Sequence, residues 1–275
     1  MSYQEIFDCL PPASNFHEKD LNVNLSFRYN KINEEYPILF LHGFNGNSRS
    51  WAYQFNHFKD KRSILALDAP GFGKSDPVDI DMLKIAELVK KLLVYLNIKK
   101  CDLVGHSMGG MLAQIVASQN NNLVNKVFLS CTHKGYALPK GAPLREAYKL
   151  RLDQRKKMSN KEFGQLRVKK MLPDLKNEEV FKFLSSISGE ISENSIVCGG
   201  MAMQTLDTSK YLLNLKQDCL ILKASKDVVV SKERSDELEK LIPHAKVKEL
   251  QNVGHAPYCE DAKSFNAEIE DFLQQ

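Results

Sequence analysis

A chain of 275 residues with 43% hydrophobic and 26% charged side chains can bury a sizeable core, which excludes a disordered or fibrous protein. The net charge is +4, yet 13 Lys/Arg against six Asp/Glu lie between Lys140 and Lys182, so the basic character belongs to one segment. No run is apolar enough to span a membrane, no basic-then-apolar leader opens the chain, and the basic segment lacks interleaved aromatic platforms. These features argue against membrane and nucleic-acid partners and for a cytoplasmic protein.

The first 20 residues carry few periodic signals and read as a short leading segment. From Leu21 to Tyr29 apolar and polar residues alternate, as in a half-exposed antiparallel strand. Pro37 to Leu41 is continuous and apolar, predicting a buried strand that ends in the glycine-rich loop His42-Gly43-Phe44-Asn45-Gly46. A short helix over Trp51–Phe58 precedes a second buried strand, Ser63–Leu67, and the irregular loop Asp68-Ala69-Pro70-Gly71-Phe72-Gly73-Lys74-Ser75. That loop lacks the spacing of a phosphate-binding loop. From Ile80 to Leu96 an apolar stripe predicts an amphipathic helix with Asp79 as its N-cap.

Next comes Lys100 to Ala113, where an apolar run enters Gly105-His106-Ser107-Met108-Gly109-Gly110 and a helical pattern follows. Strand, tight turn and helix are the context that turns G-x-S-x-G into a nucleophile elbow, with the serine on a strained turn. Residues without a Cβ let the strand and the helix approach closely there. The turn also puts Ser107 at a helix N-terminus, where free N–H groups favour developing negative charge. Lys126–Cys131 is a further buried strand. Strands alternating with helices predict an α/β fold with a mostly parallel sheet covered on both faces, and ligands bind beyond its carboxyl edge. His42, Asp68, Ser107 and Thr132 fall at that edge.

From about Tyr136 to Asp207 strand-like runs disappear. Helices are expected over Leu144–Lys157 and Ser159–Met171, the second opened by the capping box Ser159-x-x-Glu162, and Cys198-Gly199-Gly200 reads as a bend. This predicts a helical cap over residues 136–207, acting as a lid, inserted into a core of residues 1–135 and 208–275. The strand rhythm returns at Cys219–Lys223, followed by Ala224-Ser225-Lys226-Asp227. A helix over Ser231–Ile242, a strand over Ala245–Leu250, the loop Gln251–Pro257 containing His255, and a helix from about Glu260 to Leu273 complete the chain. Six cysteines are scattered without C-x-x-C spacing and read as reduced thiols, neither a disulfide framework nor a zinc site.

Acyl transfer by serine needs a nucleophile, a base and a carboxylate that orients the base. Ser107, Asp227 and His255 each fall in a loop after a predicted buried strand, in the chain order the elbow implies. Asp218 precedes its strand, and Glu260 and Asp261 begin a helix, so all three are worse placed as the acid. His106 and His133 are treated as supporting residues.

These motifs, with Leu41-His42-Gly43-Phe44, the Asp68–Ser75 loop and Val253-Gly254-His255, resemble those of the α/β-hydrolase superfamily over nearly the whole chain. The run Gly109–Gln114 and the single helical cap are similar to 3-oxoadipate enol-lactonases and related carboxylesterases. The resemblance implies an α/β-hydrolase fold, an oxyanion hole from the backbone N–H groups of Phe44 and Met108, and no metal or organic cofactor. Asp227 departs from the pattern, standing in Ala-Ser-Lys-Asp where a glycine-containing turn is usual.

The expected activity is hydrolysis of a small ester or lactone through an acyl-enzyme on Ser107, with an anionic substrate suggested by the basic cap. Alternatives are a methyl-ester or thioester hydrolase acting on an acidic carrier protein, a carbon–carbon hydrolase or lyase using the same triad, and a non-catalytic ligand receptor.

Overall fold

The computed structural model describes residues 1–33 and 35–275. In chain order the elements are α1 (Tyr3–Asp8), β1 (Ala13–Glu18), β2 (Val23–Asn30), β3 (Ile38–Leu41), a 3₁₀ turn (Ser48–Trp51), α2 (Ala52–Phe58), β4 (Ile64–Leu67), α3 (Met82–Tyr95), β5 (Cys101–His106), α4 (Met108–Gln119) and β6 (Val124–Ser130). They continue with α5 (Glu146–Lys157), α6 (Asn160–Met171), α7 (Glu178–Ser188), α8 (Glu193–Thr205), α9 (Ser209–Leu212), β7 (Asp218–Ala224), α10 (Lys232–Leu241), β8 (Lys246–Leu250), α11 (Pro257–Glu260) and α12 (Ala262–Gln274).

The eight strands form one sheet in the order β1-β2-β4-β3-β5-β6-β7-β8. β2 runs antiparallel to both of its neighbours, and the pairs from β4 to β8 are parallel. The side-chain period of two divides each central strand between two cores. Leu39 and Leu41 join the core beneath α3, α4 and α10, whereas Ile38 and Phe40 join the one beneath α1, α2 and α12. Burying both faces explains why these strands read as continuous apolar runs. Because β3 to β8 all point the same way, the loops that follow them collect along one edge.

Four details differ from the sequence reading. The strand before the His255 loop, expected to be buried, is β8 at the sheet edge, charged and exposed from Lys246 to Glu249. The leading segment contains α1 and the edge strand β1, which pairs with β2. In β1 only Phe16 and Glu18 are buried, too little to produce a periodic apolar signal. The N-cap of α3 is Asp81, whose carboxylate accepts from the Lys84 N–H at 3.0 Å, and not Asp79. Cys198-Gly199-Gly200 lies inside α8 and makes no bend. A Cβ on Gly199 would lie 2.8 Å from the Phe44 ring and one on Gly200 3.0 Å from the Tyr148 ring, so the pair permits close approach.

Helices α5 to α9 all lie between β6 and β7. The Ser159 capping box forms at the start of α6, with the Glu162 N–H 3.3 Å from Ser159 Oγ and the Ser159 N–H 3.0 Å from Glu162 Oε2. Among the described residues no helix is long and apolar enough to cross a membrane, and all six cysteines are free thiols.

Helices α6 and α7 meet through two glycines. A Cβ on Gly164 would lie 2.0 Å from Ser185 O, and one on Gly189 2.2 Å from Asn160 O. Gly164→Ala should force the two helices apart and lower stability by about 1–3 kcal/mol. Urea unfolding checks this; an unchanged midpoint would show that the crossing tolerates a methyl group.

Candidate active site

The site is built around the turn between β5 and α4. Ser107 sits there at φ +52°, ψ −115°, a conformation unfavourable for a residue with a Cβ. Neighbouring atoms hold it in place: the Ser107 N–H donates to Ser130 O at 2.9 Å, and Thr132 Oγ1 donates to Ser107 O at 2.7 Å. The glycines around it have no room for side chains. A Cβ on Gly105 would lie 2.4 Å from Gly109 O, one on Gly109 2.0 Å from Leu41 O, and one on Gly110 2.6 Å from Thr132.

His255 arrives from the loop after β8 and Asp227 from the loop after β7. With its hydrogen on Nδ1, the His255 ring donates to Asp227 Oδ2 at 2.9 Å, and Nε2 accepts from Ser107 Oγ at 3.1 Å. The other Asp227 oxygen accepts from the Val229 and Val230 N–H groups at 2.8 and 3.0 Å, which orients the carboxylate. Burial works against the Asp227 charge, but His255 and these N–H donors outweigh it and hold the pKa below the ordinary 3.8.

The residues considered as rival acids do other work. Glu260 accepts from the Gly254 N–H at 3.0 Å and the Ala256 N–H at 2.9 Å, clamping the backbone on both sides of His255. Asp261 caps α12, and Asp218 begins β7. Neither the Glu260 clamp nor its residue spacing has a sequence signature. His106 packs its ring 4.9 Å from those of His255 and Tyr258. Burial, aided by His255, keeps its pKa well below 6.5, so it stays neutral. His133 is also neutral, its pKa lowered to about 4 by burial and then by Arg234.

Loops from other strand ends complete the floor. His42 Nδ1 donates to Gly43 O at 2.8 Å, and its Nε2 accepts from the Ala69 N–H at 3.0 Å, joining the loops after β3 and β4. Asp68 accepts from the Ser48 N–H at 2.6 Å and the Lys74 N–H at 3.0 Å. Gly43 passes so close to the turn that a Cβ there would lie 3.3 Å from Ser107 Cβ. Phe44 and Met108 are both buried, and Met108 opens α4, where the first N–H groups have no intrahelical acceptor.

Ser107 and His255 open onto a cavity of about 290 Å³ bounded by the loop at Phe44, the Val228–Val230 segment and helices α5 to α8. Arg145, Arg151, Arg167 and Lys170 line it, and among the described residues no carboxylate does. The sequence reading recognised the basic segment but did not separate these side chains from its exposed lysines.

Cys131, Asp227 and His255 bring donor atoms within 4.8 Å of one another. Burial raises the Cys131 pKa well above 9.0, so its sulfur is a neutral thiol, and the other two already bond each other. A metal ligand set requires a thiolate, which this surrounding disfavours.

The depressed pKa of Asp227 makes its contribution to stability pH-dependent. That contribution is present above the ordinary value of 3.8 and is lost as pH falls through the lower folded value. The stability difference between the native chain and Asp227→Asn, followed by urea unfolding, should therefore shrink below pH 3.8. A difference independent of pH would show that the carboxylate charge does not contribute.

A family model described as the alpha/beta hydrolase fold matches residues 36–186. A Bacillus subtilis protein named AB hydrolase superfamily protein YisY is 27% identical over 86% of this chain and 91% of its own. A Pseudomonas putida 2-hydroxy-6-oxononadienedioate/2-hydroxy-6-oxononatrienedioate hydrolase is 26% identical over 92% of this chain and 93% of its own. Among solved structures, the enol-lactonase of Burkholderia xenovorans LB400 superposes with a TM-score of 0.84 at 18% identity, over 95% of this chain and all of its own. The family match spans more than half of a chain whose sheet order, turn and strand-end loops follow the same plan: the chain belongs to the α/β hydrolase fold family.

Proposed function

We propose that this hydrolase cleaves a carboxylic ester or lactone through an acyl-enzyme on Ser107. The observation that carries the reading is the continuous hydrogen-bonded path from Asp227 through His255 to Ser107 Oγ, at 2.9 and 3.1 Å. A hydroxyl at a helix N-terminus, an imidazole within hydrogen-bond reach of it and an oriented carboxylate are the parts that acyl transfer needs.

In the first half-reaction His255 Nε2 takes the hydroxyl proton as Ser107 Oγ bonds to the substrate carbonyl carbon. The carbonyl oxygen becomes an oxyanion, held by the N–H groups of Phe44 and Met108. Gly43 supports this assignment, because its missing side chain lets the Phe44 loop lie against Ser107. Such donors typically contribute about 3 kcal/mol each in the transition state. The bond to the leaving oxygen breaks, and that oxygen takes the proton from His255. Water then gives its proton to His255 and attacks the acyl carbon; collapse releases the acid and returns the proton to Ser107. Asp227 stays ionised throughout and stabilises the imidazolium. In this reading helices α5 to α8 act as a lid that limits water at the reacting carbon.

Carbon–carbon hydrolysis is the second reading, favoured by the near full-length likeness to the dienedioate hydrolase. The same Ser107 and His255 would serve, with a carbon leaving group in place of an oxygen.

Ser107→Ala should reduce p-nitrophenyl acetate turnover to background, and Asp227→Asn should lower kcat by about 10⁴. Full activity in folded Ser107→Ala would exclude the acyl-enzyme. Turnover of a vinylogous diketone but of no ester would favour the second reading.

A further inference from the structure

The cations lining the cavity are unpaired. Among the described residues, Arg145, Arg151, Arg167 and Lys170 form no ion pair, and the cavity lining supplies no carboxylate to them. Arg151 lies on α5 and Arg167 on α6, and each leaves a buried Nε without an acceptor. Arg151 Nη1 reaches Asn45 Oδ1 at 3.3 Å, and its guanidinium lies 4.7 Å over the Phe44 ring, directly above the loop beside Ser107. Burial lowers the Arg151 pKa to about 9, and Arg167 is the next cause, so the two guanidiniums repel each other while remaining charged at neutral pH.

Two like charges partly withdrawn from water without a counter-ion are unfavourable. Stacking on Phe44 accounts for the position of Arg151. It does not account for Arg167, which makes no hydrogen bond, ion pair or ring contact among the described residues. What both lack is an anion, and a planar guanidinium fork fits the two oxygens of a carboxylate. Arg145 and Lys170, on the same lining, add to the positive field. A volume of about 290 Å³ suits a small acid better than a polymeric anion.

Resting on the serine-hydrolase reading above, we infer that Arg151 and Arg167 form a carboxylate-binding subsite, and that the substrate is an ester or lactone carrying a separate, free carboxylate. The half-ester of a dicarboxylic acid is the simplest member of the class. The carboxylate docks between the guanidiniums, and the uncharged ester carbonyl faces Ser107.

The test compares kcat/KM for mono-p-nitrophenyl glutarate and for p-nitrophenyl pentanoate, which differ in the terminal charge. The native chain should favour the half-ester by at least about tenfold, and Arg151→Gln and Arg167→Gln should each remove most of that preference. Lys156→Gln, at an exposed position of α5 outside the cavity, should retain it. Thermal melts establish folding, and Arg167→Gln, which loses no contact, carries the test if Arg151→Gln unfolds. Calorimetric titration of glutarate into Ser107→Ala, with and without Arg167→Gln, reads the subsite independently of turnover. Binding weakened by about tenfold or more without Arg167 supports the subsite even where neither ester is hydrolysed, an outcome in which the hydrolase reading alone fails. A native ratio near unity, or glutarate binding indifferent to Arg167, overturns the inference.

Discussion

Everything in the site depends on how closely α4 approaches the sheet. A methyl group on Gly109 would lie 2.0 Å from Leu41 O, and one on Gly105 2.4 Å from Gly109 O, so strand and helix meet backbone to backbone. That contact forces Ser107 into a positive-φ turn, and the turn in turn presents Oγ at the carboxyl edge of the sheet. The strain persists because Ser130 and Thr132 hold the Ser107 backbone from the neighbouring strand. Parallel pairing of β3 through β8 then brings His255, Asp227 and the Gly43–Phe44 loop to the same edge as Ser107, from three other strand ends. The His255 loop is held twice, by Asp227 at its ring and by Glu260 at its backbone.

The insertion between β6 and β7 does a different job. The loops after the core strands hold Ser107, Asp227 and His255, whereas α5 and α6 supply most of the charged wall that faces them. Gly199 and Gly200 let α8 rest on Phe44 and Tyr148, and Phe44 carries Arg151 on its other contacts. The loop beside the nucleophile and the helices above it are thus packed as one body.

How much of this could be read from the sequence follows from how local each feature is. The elbow is contiguous, so its glycines and serine are visible together. Asp227 was legible because it stands in the loop after the apolar strand β7, whereas β8 is charged and exposed, so His255 was legible from its place in the chain order. β1 was not, because an edge strand with only Phe16 and Glu18 buried has no periodic pattern. Gly199-Gly200 was misread as a bend because a sequence does not distinguish a glycine that turns the chain from one that admits a neighbouring ring. Arg151 and Arg167 share a basic stretch with Lys156 and Lys157, and only helix packing decides which of them face the cavity.

The unpaired arginines also bear on how a catalytic cycle ends. On the proposed reaction, ester cleavage adds a negative charge to the acyl fragment, and among the described residues the surrounding wall is cationic with no carboxylate of its own. The product acid is therefore held by a stronger Coulombic attraction than the ester that entered. On that reading the acid leaves more slowly than it would from a neutral wall, and added salt hastens its departure by screening the attraction.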